Sequence, residues 1–240
     1  MLVIGNWKMH GDRQRLAEVV AIDRHVRRGC SARVALCVPA TLIAAARGSV
    51  EAVVIGAQDC HQAVGGAFTG RLSASMLADA GAQMVVVGHS ECRAAGDDDA
   101  AVGAKVTAAI GAGLEPVLCV GETSAERDEG LTAAVVVAQA RAALPGRVVE
   151  GLALAYEPVW AIGSGRLPQE GDIAAVIAAL RRCLVDLYGV EGSDVPILYG
   201  GSVSAANAAA LLGIDGIGGL LVGSASLSAD SFVPILAAAG

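Results

Sequence analysis

A single carboxylate, Glu157, stands where an apolar segment gives way to a loop of small residues. The preceding residues 152–155 (LALA) carry no charge and fit a strand that is buried on both faces, which places Glu157 at the C-terminal tip of that strand. Pro158 ends the strand pairing, and residues 161–165 (AIGSG) could fold over a ligand and exclude water. Most glutamates in loops are simply solvated. Glu157 is a candidate general base because it lies next to a segment that could close over a ligand.

Polar side chains follow two other apolar segments in the same way. Asn6 and Lys8 come directly after residues 2–5, and an ammonium group at a strand tip suits an anionic substrate. His89 follows four apolar positions and precedes a predicted helical turn, whose N-terminus disfavours the imidazolium ion. His89 could therefore act as a neutral hydrogen-bond donor. The alternatives are that His89 is a structural histidine and that Lys8 is an ordinary surface lysine.

Glycines and serines cluster after the last two predicted strands, in residues 199–204 (YGGSVS) and 220–227 (LLVGSASL). Backbone N–H groups and serine hydroxyls on adjacent loops would form a nest suited to a phosphate group. The sequence contains no G-x-x-x-x-G-K, G-x-S-x-G or H-E-x-x-H motif. We interpret the acidic run 97–99 (DDD) as solvated charge at a helix start and not as a metal site.

Strand-like and helical patterns alternate along the whole chain. Eight strands are predicted, at residues 2–5, 33–38, 53–57, 84–88, 115–120, 152–156, 196–199 and 219–222. The sixth helix shows a hydrophobic stripe with a 3.6-residue period, at Ile173, Val176, Ile177, Leu180, Leu184 and Leu187. Eight such units predict a (β/α)8 barrel of parallel strands with outer helices, with a doubly wound sheet as the alternative. In a barrel the chemistry belongs on the loops that leave the C-terminal ends of the strands.

Composition narrows the class of protein further. The chain has 240 residues, of which 54% are apolar and 17% charged, and no linker divides it, so we expect a single domain over residues 1–240. A net charge of −7 without a basic cluster argues against nucleic-acid binding. No signal peptide is apparent, and the uncharged span 195–214 contains too many breakers for a membrane helix. The six cysteines form no C-x-x-C pair, which favours reduced thiols in the cytoplasm.

Seven motifs, in this order, resemble those of the triosephosphate isomerase family, and they cover the chain from Gly5 to Leu227. They are GNWKM, GAFTG, GHSEC, CVGET, YEPVWAIGSG, YGGSV and LVGSASL. The resemblance implies an aldose–ketose isomerase of glycolysis and gluconeogenesis, an intramolecular oxidoreductase that acts on a small phosphorylated three-carbon substrate. It implies no metal and no organic cofactor, because a proton shuttle through an enediolate needs neither.

The resemblance also implies roles for individual residues. Glu157 would be the base, the residue matching His89 a neutral electrophile, and Lys8 a cation that stabilises negative charge beside Asn6. The supporting residues would be Glu91 and Cys119. The residues expected to hold the phosphate or to close over the site are Ile162, Gly163, Ser202, Leu221, Gly223 and Ser224, of which Ile162 and Leu221 form an apolar clamp.

The far hinge of the lid departs from the family pattern. In relatives the tyrosine matching Tyr199 bonds to a backbone N–H at the position of Pro168, and proline has no such donor. We therefore expect closure to depend on Ser202 with Gly165 and on the apolar clamp, which would increase the population of the open state.

Members of the family are homodimers in which the loop matching residues 65–70 inserts beside the partner's catalytic residues. Arg71 occupies a position where relatives commonly have glutamate, and Cys92 occupies one where they commonly have arginine. We therefore expect the ion pair that these two residues often form between subunits to be absent. A dimer is still expected, because the apolar loop tip around Phe68 requires burial. Two alternatives remain. One is a paralogue acting on a related phosphorylated ketose, which Ser224 and the changes in the lid would permit, and the other is a phosphate-binding barrel without turnover.

Overall fold

Eight parallel strands close into a barrel in chain order in this computed structural model, which describes residues 1–162 and 168–240. The strands are β1 (Leu2–Asn6), β2 (Arg33–Cys37), β3 (Val54–Ala57), β4 (Met84–Val87), β5 (Glu115–Val120), β6 (Ala153–Tyr156), β7 (Ile197–Tyr199) and β8 (Gly219–Val222). The final pairing, of β1 with β8, aligns Leu2 with Gly219 and removes any free sheet edge. The predicted (β/α)8 barrel is confirmed, and each predicted strand boundary lies within one residue of the observed one.

Helices surround the barrel on its outer side. Those in the described residues are α1 (Leu16–Arg27), α2 (Ile43–Arg47), α3 (Ala74–Asp79), α4 (Ser90–Ala94), α5 (Asp99–Gly111), α6 (Ser124–Asp128), α7 (Thr132–Ala143), α8 (Glu170–Tyr188), α9 (Glu191–Asp194), α10 (Ala208–Leu212) and α11 (Ala229–Ala238). Within those residues, no helix combines the length and the apolar character needed to cross a membrane.

Alternating side chains divide the core into two layers. On β1, Ile4 points into the barrel interior while Val3 packs outward against the helices, as the two-residue period of a strand requires. The interior is closed to solvent by residues that include Met84, Val117 and Leu198, so the barrel is a packed core and not a channel. Polar chemistry is consequently confined to the ends of the strands.

One predicted core residue lies outside the core. Leu187, the last member of the stripe on α8, is 41% exposed, whereas Ile173 through Leu184 in that stripe are buried. An α-helix of 19 residues is about 28 Å long. The neighbouring strand β7 has only three residues, so the last turn of α8 extends beyond the sheet that it covers.

The acidic run at residues 97–99 was interpreted as solvated charge at a helix start, and this holds for only part of the run. Asp98 does cap α5, accepting a hydrogen bond from the N–H of Ala101 at 2.8 Å. Asp97, however, contacts the ammonium group of Lys105 at 2.5 Å, and the side chain of Lys105 is only 7% exposed. A buried ammonium needs anionic partners, and the barrel supplies them from Asp97 and Asp59.

Candidate active site

The C-terminal mouth of the barrel brings together residues from five strand ends, those of β1, β4, β6, β7 and β8. A cavity of about 280 Å³ opens between them. Its lining comprises Asn6, Lys8, His89, Glu157, Ile162, Gly200, Gly201, Ser202, Val203, Leu221, Gly223 and Ser224. Nine of these residues belong to the predicted site, and the tenth cavity residue expected there, Gly163, lies outside the described residues.

His89 is held by the helix that follows it. It is the N-cap of α4, and its Nδ1 accepts a hydrogen bond from the N–H of Glu91 at 3.1 Å. Because that N–H needs a lone pair to bond to, the ring proton lies on Nε2, which is 3.1 Å from Oε1 of Glu157. The ring thus presents a donor toward the cavity, the orientation that a neutral electrophile would need.

Glu157 is a buried carboxylate with two partners. Glu157 as a whole is only 2% exposed. Burial raises its pKa above the ordinary glutamate value, while His89 and the N–H of Ser90, 3.0 Å from Oε2, act in the opposite direction. A carboxylate whose pKa is raised by desolvation is a stronger base once ionised, which suits proton abstraction from carbon.

Lys8 is fixed through its backbone as well as its side chain. Its φ of +51° makes it the one non-glycine residue with positive φ in the described ranges. Its N–H donates to Oδ1 of Asn6 at 3.0 Å, and Nε2 of Gln58 donates to its carbonyl oxygen at 2.8 Å. The ammonium group contacts Glu91 at 2.7 Å, and it lowers the pKa of Glu91 although partial burial acts to raise it.

Small residues form the opposite wall of the cavity. Gly223 precedes a short 3-10 helix, Ser224–Ser226, so backbone N–H groups are available at that end. The hydroxyl of Ser202 donates to the carbonyl oxygen of Ala161 at 3.2 Å and so ties the β7 loop to the base of the lid segment. Leu221 belongs to the barrel interior and forms the apolar floor below these groups.

Cys119 does not reach the cavity. It is fully buried in the barrel interior, where burial raises the pKa of its thiol well above the usual range and the nearby carboxylate of Glu157 adds to the effect. Its thiol does not line the cavity, and its supporting role stays a prediction.

Two groups of contacts were missed by sequence reasoning about the site. A Cβ atom at Gly200 would lie 2.9 Å from Cγ of Glu157, so only glycine leaves room for the carboxylate there. Glu122 is fully buried and accepts hydrogen bonds from the Tyr156 hydroxyl at 3.1 Å and the Trp160 indole at 2.8 Å. The motifs YGGSV and CVGET contain these residues, but neither motif reveals which partners they contact.

A second polar cluster lies outside this cavity. Asp59, Cys92 and Asp97 are the only three potential metal ligands that group together within residues 1–162 and 168–240. Lys105 already contacts both carboxylates, at 2.8 Å and 2.5 Å, and so neutralises part of their charge. The cluster is therefore an ion-paired core element in the described structure.

The fold and these contacts define a (β/α)8 barrel with a candidate acid–base site at its C-terminal mouth. The family model described as triosephosphate isomerase matches residues 1–239. The triosephosphate isomerase of Ruegeria sp. (strain TM1040) is 50% identical over 240 residues, covering 99% of this chain and 97% of the relative. That of Xanthobacter flavus is 49% identical over 243 residues, covering 100% and 97%.

The solved structures agree with the sequence comparison. The triosephosphate isomerase of Bartonella henselae superimposes with a TM-score of 0.93 at 39% identity, covering 99% of this chain and 98% of that one. The chain belongs to the triosephosphate isomerase family. The known reaction of this family is the aldose–ketose isomerisation of triose phosphates in glycolysis, so the resemblance drawn from the seven motifs is confirmed.

Proposed function

We propose that this chain interconverts D-glyceraldehyde 3-phosphate and dihydroxyacetone phosphate with Glu157 as the base. The carboxylate removes a proton from the carbon beside the substrate carbonyl, and the electron pair moves onto the carbonyl oxygen to give an enediolate. His89 donates its Nε2–H to that oxygen, and the Lys8 ammonium stabilises the developing negative charge. The imidazole regains a proton from the adjacent hydroxyl group, whose oxygen becomes the new carbonyl oxygen. Glu157 then returns its proton to the former carbonyl carbon, which completes the isomerisation.

The phosphate group would bind at the glycine- and serine-rich wall. Backbone N–H groups at Gly223 and Ser224 and the hydroxyl of Ser202 are the proposed donors, joined by Gly163 on the lid. Asn6 fixes Lys8 by its hydrogen bond, and Glu91 holds the ammonium group in place between turnovers. Ile162 and Leu221 would then exclude water above and below the carboxylate.

One observation carries the proposal, the 3.1 Å contact between Nε2 of His89 and Oε1 of Glu157 within a cavity that also contains Lys8. The test is a coupled assay with both triose phosphates, applied to the wild type and to Glu157→Gln. We expect the variant to bind phosphoglycolate and to lose about 10² to 10⁴ in kcat, the range for a general base. Near-normal turnover in the variant would exclude Glu157 as the base.

Two outcomes distinguish the alternatives. Thermal stabilisation by phosphoglycolate with no turnover of any triose phosphate would favour a non-catalytic phosphate-binding barrel. Turnover of another phosphorylated ketose alone would favour a paralogous isomerase. The matched control is Glu150→Gln, because Glu150 is an exposed residue in the loop before β6, at the N-terminal end of the barrel.

We also propose that the chain forms a homodimer through the loop at residues 65–70. Support comes from exposed apolar side chains around this loop. They include Val64, Phe68, Leu72 and Met76. The Phe68 ring lies 4.1 Å from the ring of His61 and is still 46% exposed, so the loop presents an ordered apolar tip that a second copy would bury.

The dimer proposal can be tested with two matched valines. Val64 lies beside the loop and Val190 lies between α8 and α9, and both are 84% exposed. We expect Val64→Lys to weaken the dimer in light-scattering measurements and Val190→Lys to leave it unchanged. A monomeric wild type at micromolar concentration would contradict the proposal.

We propose one domain over residues 1–240, supported by a barrel whose strands run from Leu2 to Val222, and a single cooperative unfolding transition is the expected result.

We propose a cytoplasmic location, supported by six cysteines that are all free thiols. Recovery of the activity in a periplasmic or membrane fraction would contradict this proposal.

A further inference from the structure

We propose that Arg93 is a positioning residue that fixes the separation between His89 and Glu157. The proposal rests on the function proposed above, because it concerns the same acid–base pair. Arg93 lies on α4 outside the cavity, and its side chain is only 16% exposed. A buried guanidinium group must have its donors satisfied, and its partners identify what it holds in place.

Arg93 contacts the backbone on both sides of His89. Its Nε donates to the carbonyl oxygen of Gly88 at 2.9 Å, and its backbone N–H donates to the carbonyl oxygen of His89 at 3.0 Å. These two carbonyl groups flank the Cα atom of His89 along the chain. The side chain of Arg93 thereby restrains the peptide before the histidine, and the backbone of α4 restrains the peptide after it.

The same guanidinium group extends toward the strand that positions Glu157. Its Nη2 lies 3.4 Å from the carbonyl oxygen of Cys119 on β5. The next residue on β5, Val120, accepts the backbone N–H of Glu157 at 2.8 Å. Arg93 therefore links the backbone next to His89 to the end of β5, and the backbone of Glu157 is hydrogen bonded to that same strand end.

Two further features favour arginine at this position. Nη1 donates to Oδ1 of Asp99 at 2.7 Å, which anchors the guanidinium group at the start of α5. Gly88 has a φ of +71°, and a Cβ atom there would lie 3.1 Å from the Cys119 carbonyl oxygen, so the strand ends approach closely. A planar group with several donors bridges these partners together, whereas a lysine ammonium at the end of a flexible chain does not.

The variant that tests the proposal is Arg93→Lys, which keeps the charge and loses the bridging geometry. Because small misplacement of catalytic groups can cost about 10²-fold, we expect kcat to fall about ten- to a hundred-fold with KM and the phosphoglycolate Kd within about twofold. Arg181→Lys is the matched control, since Arg181 also donates to two backbone carbonyls, those of Gly192 and Val195, near the N-terminal end of β7. The control should retain wild-type kcat.

A double-mutant cycle separates positioning from general stability. In the background of His89→Gln, adding Arg93→Lys should have little further effect on kcat, because the group that Arg93 positions is already gone. An equal fold-loss in both backgrounds, an unchanged kcat in Arg93→Lys, or an effect confined to KM would overturn the proposal.

Two additional measurements keep the result interpretable. If Arg93→Lys does not fold, Asp99→Asn releases only one end of the guanidinium group, and we expect a two- to fivefold loss of kcat that also disappears in the His89→Gln background. Persistence of that loss would overturn the proposal. Isomerase activity of the wild type and its loss in His89→Gln test the proposed function independently of either Arg93 result.

Discussion

Nε2 of His89 lies 3.1 Å from Oε1 of Glu157, and Oε2 of the same carboxylate accepts the N–H of Ser90 at 3.0 Å. Both oxygens of the candidate base are thus occupied by protein donors in this structure. A substrate carbon can approach the carboxylate only if one of these contacts is exchanged for a contact with the ligand. The donors also stabilise the ionised form of Glu157 against the effect of its burial.

The acid limb of the rate profile should reflect the raised pKa of Glu157. Only the ionised carboxylate can remove a proton, so kcat/KM should fall as the pH decreases through the pKa of the free enzyme. Because burial raises this pKa, the fall should be centred above the ordinary glutamate value of about 4.3. Initial rates measured in constant-ionic-strength buffers from pH 4.5 to 8 test this. A plateau that continues to pH 4.5 would contradict it.

The same pKa shift predicts that Glu157→Gln is more stable than the wild type at neutral pH. A raised folded-state pKa means that the folded protein binds the proton more tightly than the unfolded chain does. Its contribution to stability is therefore present below the unfolded pKa of about 4.3 and is lost as the pH rises through the folded pKa. Urea denaturation of both proteins at pH 4 and pH 7 measures the difference, which should be larger at pH 7.

Removal of the Tyr199 hydroxyl should have little effect on turnover. Tyr199 is fully buried, burial raises its pKa to about 12, and its hydroxyl has no hydrogen-bond partner among the described residues. Pro168 cannot donate a backbone N–H to it. We expect Tyr199→Phe to retain kcat within about threefold and to be as stable as the wild type or about 1 kcal/mol more stable.

Tyr156 provides the control for that substitution, since its hydroxyl donates to Glu122 at 3.1 Å. Tyr156→Phe should lose about 1 to 2 kcal/mol of unfolding free energy, the cost of removing a partner from a buried carboxylate. A loss of kcat above tenfold in Tyr199→Phe would instead indicate that its hydroxyl bonds to another lid amide. The lid residues 163–167, including Gly165, lie outside the described residues, so the role of Ser202 with Gly165 in closure stays a prediction.

Lys105→Met should destabilise the fold strongly. The substitution leaves Asp59 and Asp97 without the ammonium group that contacts them at 2.8 Å and 2.5 Å. The expected loss is about 3 kcal/mol, at the low end for a broken buried ion pair because the Asp59 side chain is one-third exposed. Denaturant titration at pH 7 measures it. Adding Asp59→Asn and Asp97→Asn to the variant should recover part of the loss, and a cost below 1 kcal/mol would contradict the argument.

The sequence by itself determined the barrel and most of the cavity lining. Strand and helix periods depend on local side-chain spacing, and chemistry at strand ends follows from barrel topology. Those two facts were sufficient to predict that Asn6, Lys8, His89 and Glu157 lie at one mouth, where the structure places them. The motif resemblance added the reaction and the individual residues of the apolar clamp and the phosphate wall.

Tertiary structure decided the contacts between residues distant in the chain. The proton position on His89, the burial of Lys105 between two aspartates, the exposure of Leu187 and the bridge made by Arg93 all depend on how far the elements extend and where barrel closure places them. Residue type and spacing carry no information about such through-space distances. The physical reason is that hydrogen bonds and ion pairs require separations near 3 Å, and only the packed chain fixes them.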